Sequence, residues 1–170
     1  FAYKLSVSIA TSGWLHRVGV GAFTLQSGAP DWLGAVFGLQ QKAGGSIHPG
    51  GLTALELASV AHFLPLGEQA PVYLFGRSGE RLPEWFKRLP WAGRIRYEQT
   101  NFLPPELGLR EHQTGGFAVK VSDPERAILE ILFQSANDEA GYEHARLVFE
   151  GLGTLLTLSG IGEPSWFAPT

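Results

Sequence analysis

Residues Val119–Leu132 read V-K-V-S-D-P-E-R-A-I-L-E-I-L, a strand that hands over directly to a helix. Phe117, Val119 and Val121 alternate with Ala118 and Lys120, the period-two pattern of a half-buried strand. Ser122 stands where it can cap the helix, and Glu125 three residues later can bond back to it, which makes a capping box. Pro124 suits the first turn, where its missing N–H costs nothing. Ala127, Ile128, Ile131 and Leu132 then follow at helical spacing and predict one buried face, with Arg126 and Glu130 lying elsewhere. A helix started this firmly is expected to brace a sheet, so the stretch reads as a structural keystone before it reads as an active site.

Upstream of it, Leu109–Gln113 and Gly116–Val121 form an expected hairpin, after a Pro-rich loop over Asn101–Gly108. Strands are predicted over Pro71–Phe75 and Arg94–Tyr97, with a short helix opened by Leu82-Pro83 and carrying Trp85 and Phe86 between them. Two helices come earlier. One runs from Asp31 to about Lys42, with Trp32, Leu33, Val36, Phe37 and Leu39 apolar and Gly44-Gly45 ending it. The other runs from Leu52 to about Ala61, with Leu55, Leu57, Ala58 and Val60 inside, after a short extended piece at Ser46-Ile47-His48. Downstream, Ala140–Glu150 reads as a last helix with Ala145, Leu147, Val148 and Phe149 on its packed side. This order is mixed α and β without regular βαβ alternation, so the class is α+β.

Closer to the start, Trp14–Val18 and Ala22–Leu25 flank Gly19-Val20-Gly21, two apolar runs around a turn, as in a β-hairpin. Residues 3–11 suit either a short helix or a strand. A short element followed by a basic-flanked hairpin is how a winged-helix DNA-binding domain ends. Phe1 is not preceded by a Met, and the expectation is that the first helices of such a domain lie upstream. Ser27-Gly28-Ala29-Pro30 is the expected boundary, with 1–27 as the end of the first domain, 30–150 as the second and 151–170 as an unassigned tail.

The chain has 170 residues, 44% of them hydrophobic and only 17% charged, which favours a packed core over disorder. No apolar run reaches membrane-spanning length. The absence of cysteine removes disulfides and thiolate metal sites and suits a cytoplasmic protein. Net charge is −3, which argues against indiscriminate coating of nucleic acid. The window Arg77–Arg96 nevertheless carries +4, leaving −7 on the rest. Its cations are Arg77, Arg81, Lys87, Arg88, Arg94 and Arg96, interleaved with Trp85 and Trp91. Arginine and tryptophan make interface hot spots and arginine also suits phosphate, so the window is a candidate partner-binding face, protein ahead of nucleic acid. The plain alternative is a solvated face with the Trp side chains packed beneath it.

Enzyme signatures are missing. Gly44-Gly45 and Gly50-Gly51 lack the Lys-Ser/Thr of a phosphate loop, and no G-x-S-x-G elbow occurs. The histidines His16, His48, His62, His112 and His144 have no metal-ligand spacing, so neither metal nor cofactor is expected. His48 and His62 flank one helix and are read as hydrogen-bonded residues at element ends. Glu56 is a candidate for a partly buried acid in a salt bridge. Glu111 and Lys120 face each other across the expected hairpin as a cross-strand ion pair. A nuclease-like site built from Glu56, Glu111 and Lys120 is the enzyme alternative.

An ordered series of short strings carries a resemblance. Ser12-Gly13-Trp14-Leu15 with Arg17 and Gly19-Val20-Gly21 comes first, then Asp31-Trp32-Leu33-Gly34-Ala35. His48-Pro49-Gly50-Gly51-Leu52-Thr53-Ala54-Leu55-Glu56-Leu57 and His62-Phe63-Leu64-Pro65-Leu66-Gly67 follow. Leu74-Phe75-Gly76, Leu82-Pro83-Glu84-Trp85-Phe86 and Ser122-Asp123-Pro124-Glu125-Arg126-Ala127 complete it. Together, over about residues 12 to 150, they resemble the AbiEi-type antitoxin and transcriptional autoregulator family of bacterial abortive-infection systems. The resemblance implies a winged-helix domain that represses the operon by binding operator repeats. It also implies an antitoxin domain, a small sheet flanked by helices, that counteracts a nucleotidyltransferase-like toxin encoded next door. Under it, residues 1–27 are the end of the recognition helix plus the wing, with Lys4, Ser6, Ser8, Thr11, His16 and Arg17 facing DNA. The partners implied are that toxin and operator DNA, with no membrane. A DNA-binding regulator without an antitoxin role is the alternative that His16 and Arg17 alone support.

Overall fold

The period-two pattern of Phe117–Ser122 is realised as strand β7, and its handover to a helix follows without a loop. The computed structural model describes residues 15–19, 22–25, 31–41, 45–59, 70–136, 146, 149 and 150. In chain order the elements are β1 (Leu15–Gly19), β2 (Ala22–Leu25), α1 (Trp32–Gln40), β3 (His48–Pro49), α2 (Gly51–Leu57) and β4 (Val72–Gly76). Then come α3 (Glu84–Lys87), a 3-10 turn (Ala92–Arg94), β5 (Ile95–Gln99), β6 (Leu109–Thr114), β7 (Phe117–Ser122) and α4 (Pro124–Ser135). The fold is mixed α+β with small sheets. Residues 3–11, Lys42, Val60, Ala61, Ala145, Leu147, Val148 and the 151–170 tail lie outside the described residues.

Three pairings organise the strands. β1 and β2 form the expected antiparallel hairpin, Leu15 opposite Leu25. β3 pairs antiparallel with β4, which pairs parallel with β5, the crossover passing through α3. β6 and β7 form the second predicted hairpin, with Glu111 opposite Lys120. Alternation along β4 sends side chains to two cores. Val72 and Leu74 join Leu33, Val36 and Leu39 of α1, Phe86 of α3, and Val119 and Val121 of β7. Tyr73 packs with Leu52, Ala54 and Leu55 of α2 and Ala127 and Ile131 of α4. One layer of helix therefore lies on each face.

Between β3 and β7 the gap is bridged by a side chain. The Gln40 amide donates to the carbonyls of Lys120 (2.8 Å) and Ile47 (3.0 Å), and its oxygen accepts the Lys120 N–H (2.9 Å). It thereby satisfies backbone groups that a neighbouring strand would otherwise have to meet.

Four expectations change. The cap of α4 is Asp123, whose carboxylate accepts the Arg126 N–H at 2.8 Å. Ser122 is the last residue of β7 and turns inward, so the capping box with Glu125 does not form. Pro124 does take the first helical position. Arg126 and Glu130 are buried, 7% and 0% exposed, whereas Leu132 is 40% exposed. The helix face that carries the acid is the one that packs. Helix α2 stops at Leu57, followed by Ser59 in the left-handed region. Finally Phe149, read as packed, is exposed, and near it Arg146 pairs with Glu150.

Candidate functional site

The buried side chain of Glu130 is the point where the elements meet. α4 carries it inward one turn after Arg126, whose Nε donates to Oε1 at 2.8 Å. From the end of β7, the Ser122 hydroxyl lies 3.0 and 2.9 Å from the two oxygens. From β3, His48 Nε2 lies 3.1 Å from Oε1, and from the start of α2 the Gly51 N–H donates to Oε2 at 2.9 Å. Burial by itself pushes this carboxyl up. The His48 hydrogen bond and charge, then Arg126, then Gly51 outweigh it and hold the carboxyl below its ordinary value. Gly50 and Gly51 allow the approach. A side chain at Gly50 would collide with Glu130 and Phe75, and Gly51 has a φ of +52°.

Arg126 extends the hub outward. Its Nη1 donates to the carbonyls of Pro104 (3.0 Å) and Leu107 and thus pins the Pro-rich loop beside α4. Phe102 of that loop stacks on Phe133, centroids 4.5 Å apart. A second knot lies nearby. Glu80 accepts from the Ser46 N–H and hydroxyl, the Ser46 hydroxyl in turn accepts the Arg77 N–H at 2.8 Å, and the Tyr97 hydroxyl donates to the Glu80 carbonyl at 2.7 Å. Burial, then Glu80, pushes the Tyr97 hydroxyl well above its usual range.

This hub is built for structure. A Ser–His–acid relay needs the imidazole between hydroxyl and carboxylate. Here the carboxylate sits between Ser122 and His48, and it has no solvent exposure. An open polar cleft beside the hub has a lining that includes Gln40, His48, Glu106, Glu111 and Lys120. Lys120 bonds Glu106 at 2.8 Å, although Glu111 is its partner in register. That contact, with Glu106 in the loop before β6, replaces the expected cross-strand pair. Glu56 is not among the cleft residues and is exposed on α2. Partial desolvation raises its carboxyl, against the opposing charge of Arg94. The enzyme alternative's three residues therefore do not converge on this cleft. Among the described residues no group of three or more His, Asp and Glu is placed to hold a metal.

The basic window is spread over the sheet. Arg77 is exposed just past the end of β4, while Arg94 lies at the opposite end, before β5, with Nε donating to the Ala70 carbonyl at 2.9 Å. Arg81, Lys87, Arg88 and Arg96 are exposed. Lys87 pairs with Glu84 (2.9 Å), and Arg96 donates to the Gly93 and Ile95 carbonyls. Trp85 and Trp91 are half-buried against the first core, their rings edge-on to Phe86 or to its flank. Helix α3 lies alongside β1, so Lys87 and Arg88 are carried near the hairpin that contains His16 and Arg17. Lys4, Ser6, Ser8 and Thr11 lie outside the described residues, as do the side chains of the hairpin.

Sequence reasoning missed Glu130, Arg126 and Ser122 as one unit. Arg and Glu four apart on a helix read as a solvated pair. The available signal was the Gly50-Gly51 pair, which marks a close approach.

Among the described residues no helix is long and apolar enough to cross a membrane. No curated protein matches the chain. Two family models do. Residues 1–66 match the N-terminal domain of the AbiEi antitoxin transcriptional regulators, and residues 69–158 match the transcriptional regulator, AbiEi antitoxin, of type IV toxin–antitoxin systems. The chain belongs to the AbiEi family of antitoxin transcriptional regulators of type IV toxin–antitoxin systems.

Proposed function

We propose that this chain is the antitoxin and autorepressor of a bacterial abortive-infection operon and that it counteracts a nucleotidyltransferase-like toxin. The observation that carries the reading is the match of both halves of the chain to one antitoxin regulator family. The protein binds operator DNA through a winged-helix domain whose wing is the β1–β2 hairpin, with His16 and Arg17 on β1. The exposed cations Arg77, Arg81, Lys87, Arg88 and Arg96, with Arg94, Trp85 and Trp91, supply the surface for a partner. The toxin is a functional partner under this reading, whether or not the two proteins touch. Under this reading the protein acts by binding rather than by catalysis; among the described residues the polar cluster around Glu130 is sealed from solvent.

Growth rescue tests it. The chain is co-expressed with the product of the adjacent reading frame, and restored growth is the expected result. Reversal of Arg88 and Arg94 to Glu should abolish rescue without unfolding; unchanged rescue removes that surface from the reading. For the DNA arm, affinity for the protein's own upstream DNA should fall with salt, and Arg17→Ala should make that slope shallower by about one unit. A flat salt response would overturn the repressor assignment.

A further inference from the structure

We infer that residues 31–59, although they match the N-terminal-domain description, are part of the antitoxin domain, which therefore begins at α1. The three-stranded sheet and both cores of that domain are built from residues on both sides of the 66–69 division between the two matched regions. β3 is a strand of the same sheet as β4, with His48 opposite Phe75 and Pro49 opposite Leu74, and the Gly50 N–H donates to the Tyr73 carbonyl at 3.1 Å. The Tyr73 N–H in turn donates to the Thr53 hydroxyl at 2.8 Å. Both cores are shared. Leu33, Val36 and Leu39 complete the cluster of Val72, Leu74, Val119 and Val121, and Leu52 and Leu55 complete that of Ala127 and Ile131.

The polar contacts cross the same division. Glu130 takes two of its partners, His48 and Gly51, from the first region and two, Ser122 and Arg126, from the second. Gln40 closes the edge of β7, and Glu80 holds Ser46. Without residues 31–59, the second region would expose two apolar faces, one edge of β4 and a buried carboxylate with half its partners gone. It cannot be the neutralising unit alone. The functional half of this inference rests on the antitoxin reading above.

The test uses the full chain with a specific protease site inserted between residues 66 and 69. After native cleavage the two pieces should elute as one particle and unfold in a single transition. Co-expression of the protease with this chain and the toxin should leave growth rescue intact. Separation of the pieces, two transitions, or rescue lost on cutting would each overturn the inference. Hydrogen exchange on the uncut protein gives an independent reading: the Gly50 and Gly51 amides should be protected to within tenfold of Val119 and Val121, and exchange a thousandfold faster would overturn it. Rescue by the uncut chain tests the antitoxin reading on its own. If that fails, co-elution and exchange still decide where the domain begins.

Discussion

His48 Nε2 lies 3.1 Å from Oε1 of Glu130, a residue 82 positions further along the chain, and both side chains are sealed from water. The other ring nitrogen faces the Ser46 carbonyl at 2.7 Å. Arg126 places its guanidinium on the same oxygen at 2.8 Å. Deletion of the acid strands that buried cation and leaves His48 Nε2 without its partner, whereas an amide keeps acceptor capacity. Glu130→Ala should therefore lower unfolding free energy by about 3–5 kcal/mol, the usual cost of breaking a buried pair from one side, and Glu130→Gln by less. Urea titration followed by circular dichroism measures both, and equal losses would mean that packing rather than charge holds the hub.

The pH dependence follows from the depressed carboxyl of Glu130. Such a group binds fewer protons in the folded chain than in the unfolded one, so stability rises with pH while the unfolded form titrates. Its contribution is complete above the unfolded carboxylate range, about pH 4.3 for Glu. It is lost as pH falls through the lower folded value. Glu84 and Glu106 are also lowered, by Lys87 and Lys120, but they are exposed and add little. Urea midpoints measured between neutral and acid pH should fall below that range, and Glu130→Gln should flatten the fall. Parallel curves would assign the acid limb to other groups.

Two glycines separate close approach from mere flexibility. A Cβ on Gly50 would sit 2.5 Å from Phe75 Cδ2 and closer still to a Glu130 oxygen. Gly50→Ala should therefore cost about 1–3 kcal/mol through displaced packing. Gly38 is exposed inside α1 with nothing near its missing side chain. Gly38→Ala should stabilise by about 0.5–1 kcal/mol. Thermal melts of the two single variants should move in opposite directions. A shift of the same sign would contradict the packing described around Gly50.

Much of this was legible along the chain and the rest was not, for a physical reason. The β6–β7 hairpin, the strand ending at Phe75 and the helix opened by Pro124 are encoded by neighbours: alternation, turn residues and a proline. The contacts of Glu130 are encoded by residues 8 and 82 positions away, and no local period reports them. The same holds for Gln40, an ordinary polar helix terminus until β7 arrives beside it. Arg126 and Glu130 at helical spacing look like a surface pair because their burial is decided by what covers them. The basic window fared differently. Its composition was visible, but its distribution over two ends of a parallel strand pair depended on a crossover that composition does not encode.

Ser122 and Asp123 are adjacent, and either has the chemistry of a helix cap. Only Asp123 does the capping, through the Arg126 N–H, while the Ser122 hydroxyl serves the buried carboxylate. Their substitutions should therefore fail in different ways. Asp123→Ala removes a backbone acceptor and should cost about 0.5–2 kcal/mol, with Asp123→Asn or Asp123→Ser recovering most of it because each can cap. Ser122→Ala removes a donor to a charged group and should cost about 1.5–3 kcal/mol. Because that donor favours the ionised form of Glu130, its loss should also bring the folded value closer to the unfolded one, so that the fall in stability with acid becomes smaller and ends at a higher pH. Unfolding curves at several pH values for the two alanine variants check both statements. If Ser122→Ala shifted only the neutral-pH stability and left the acid limb in place, the hydroxyl would be packing filler and not a partner of the carboxylate.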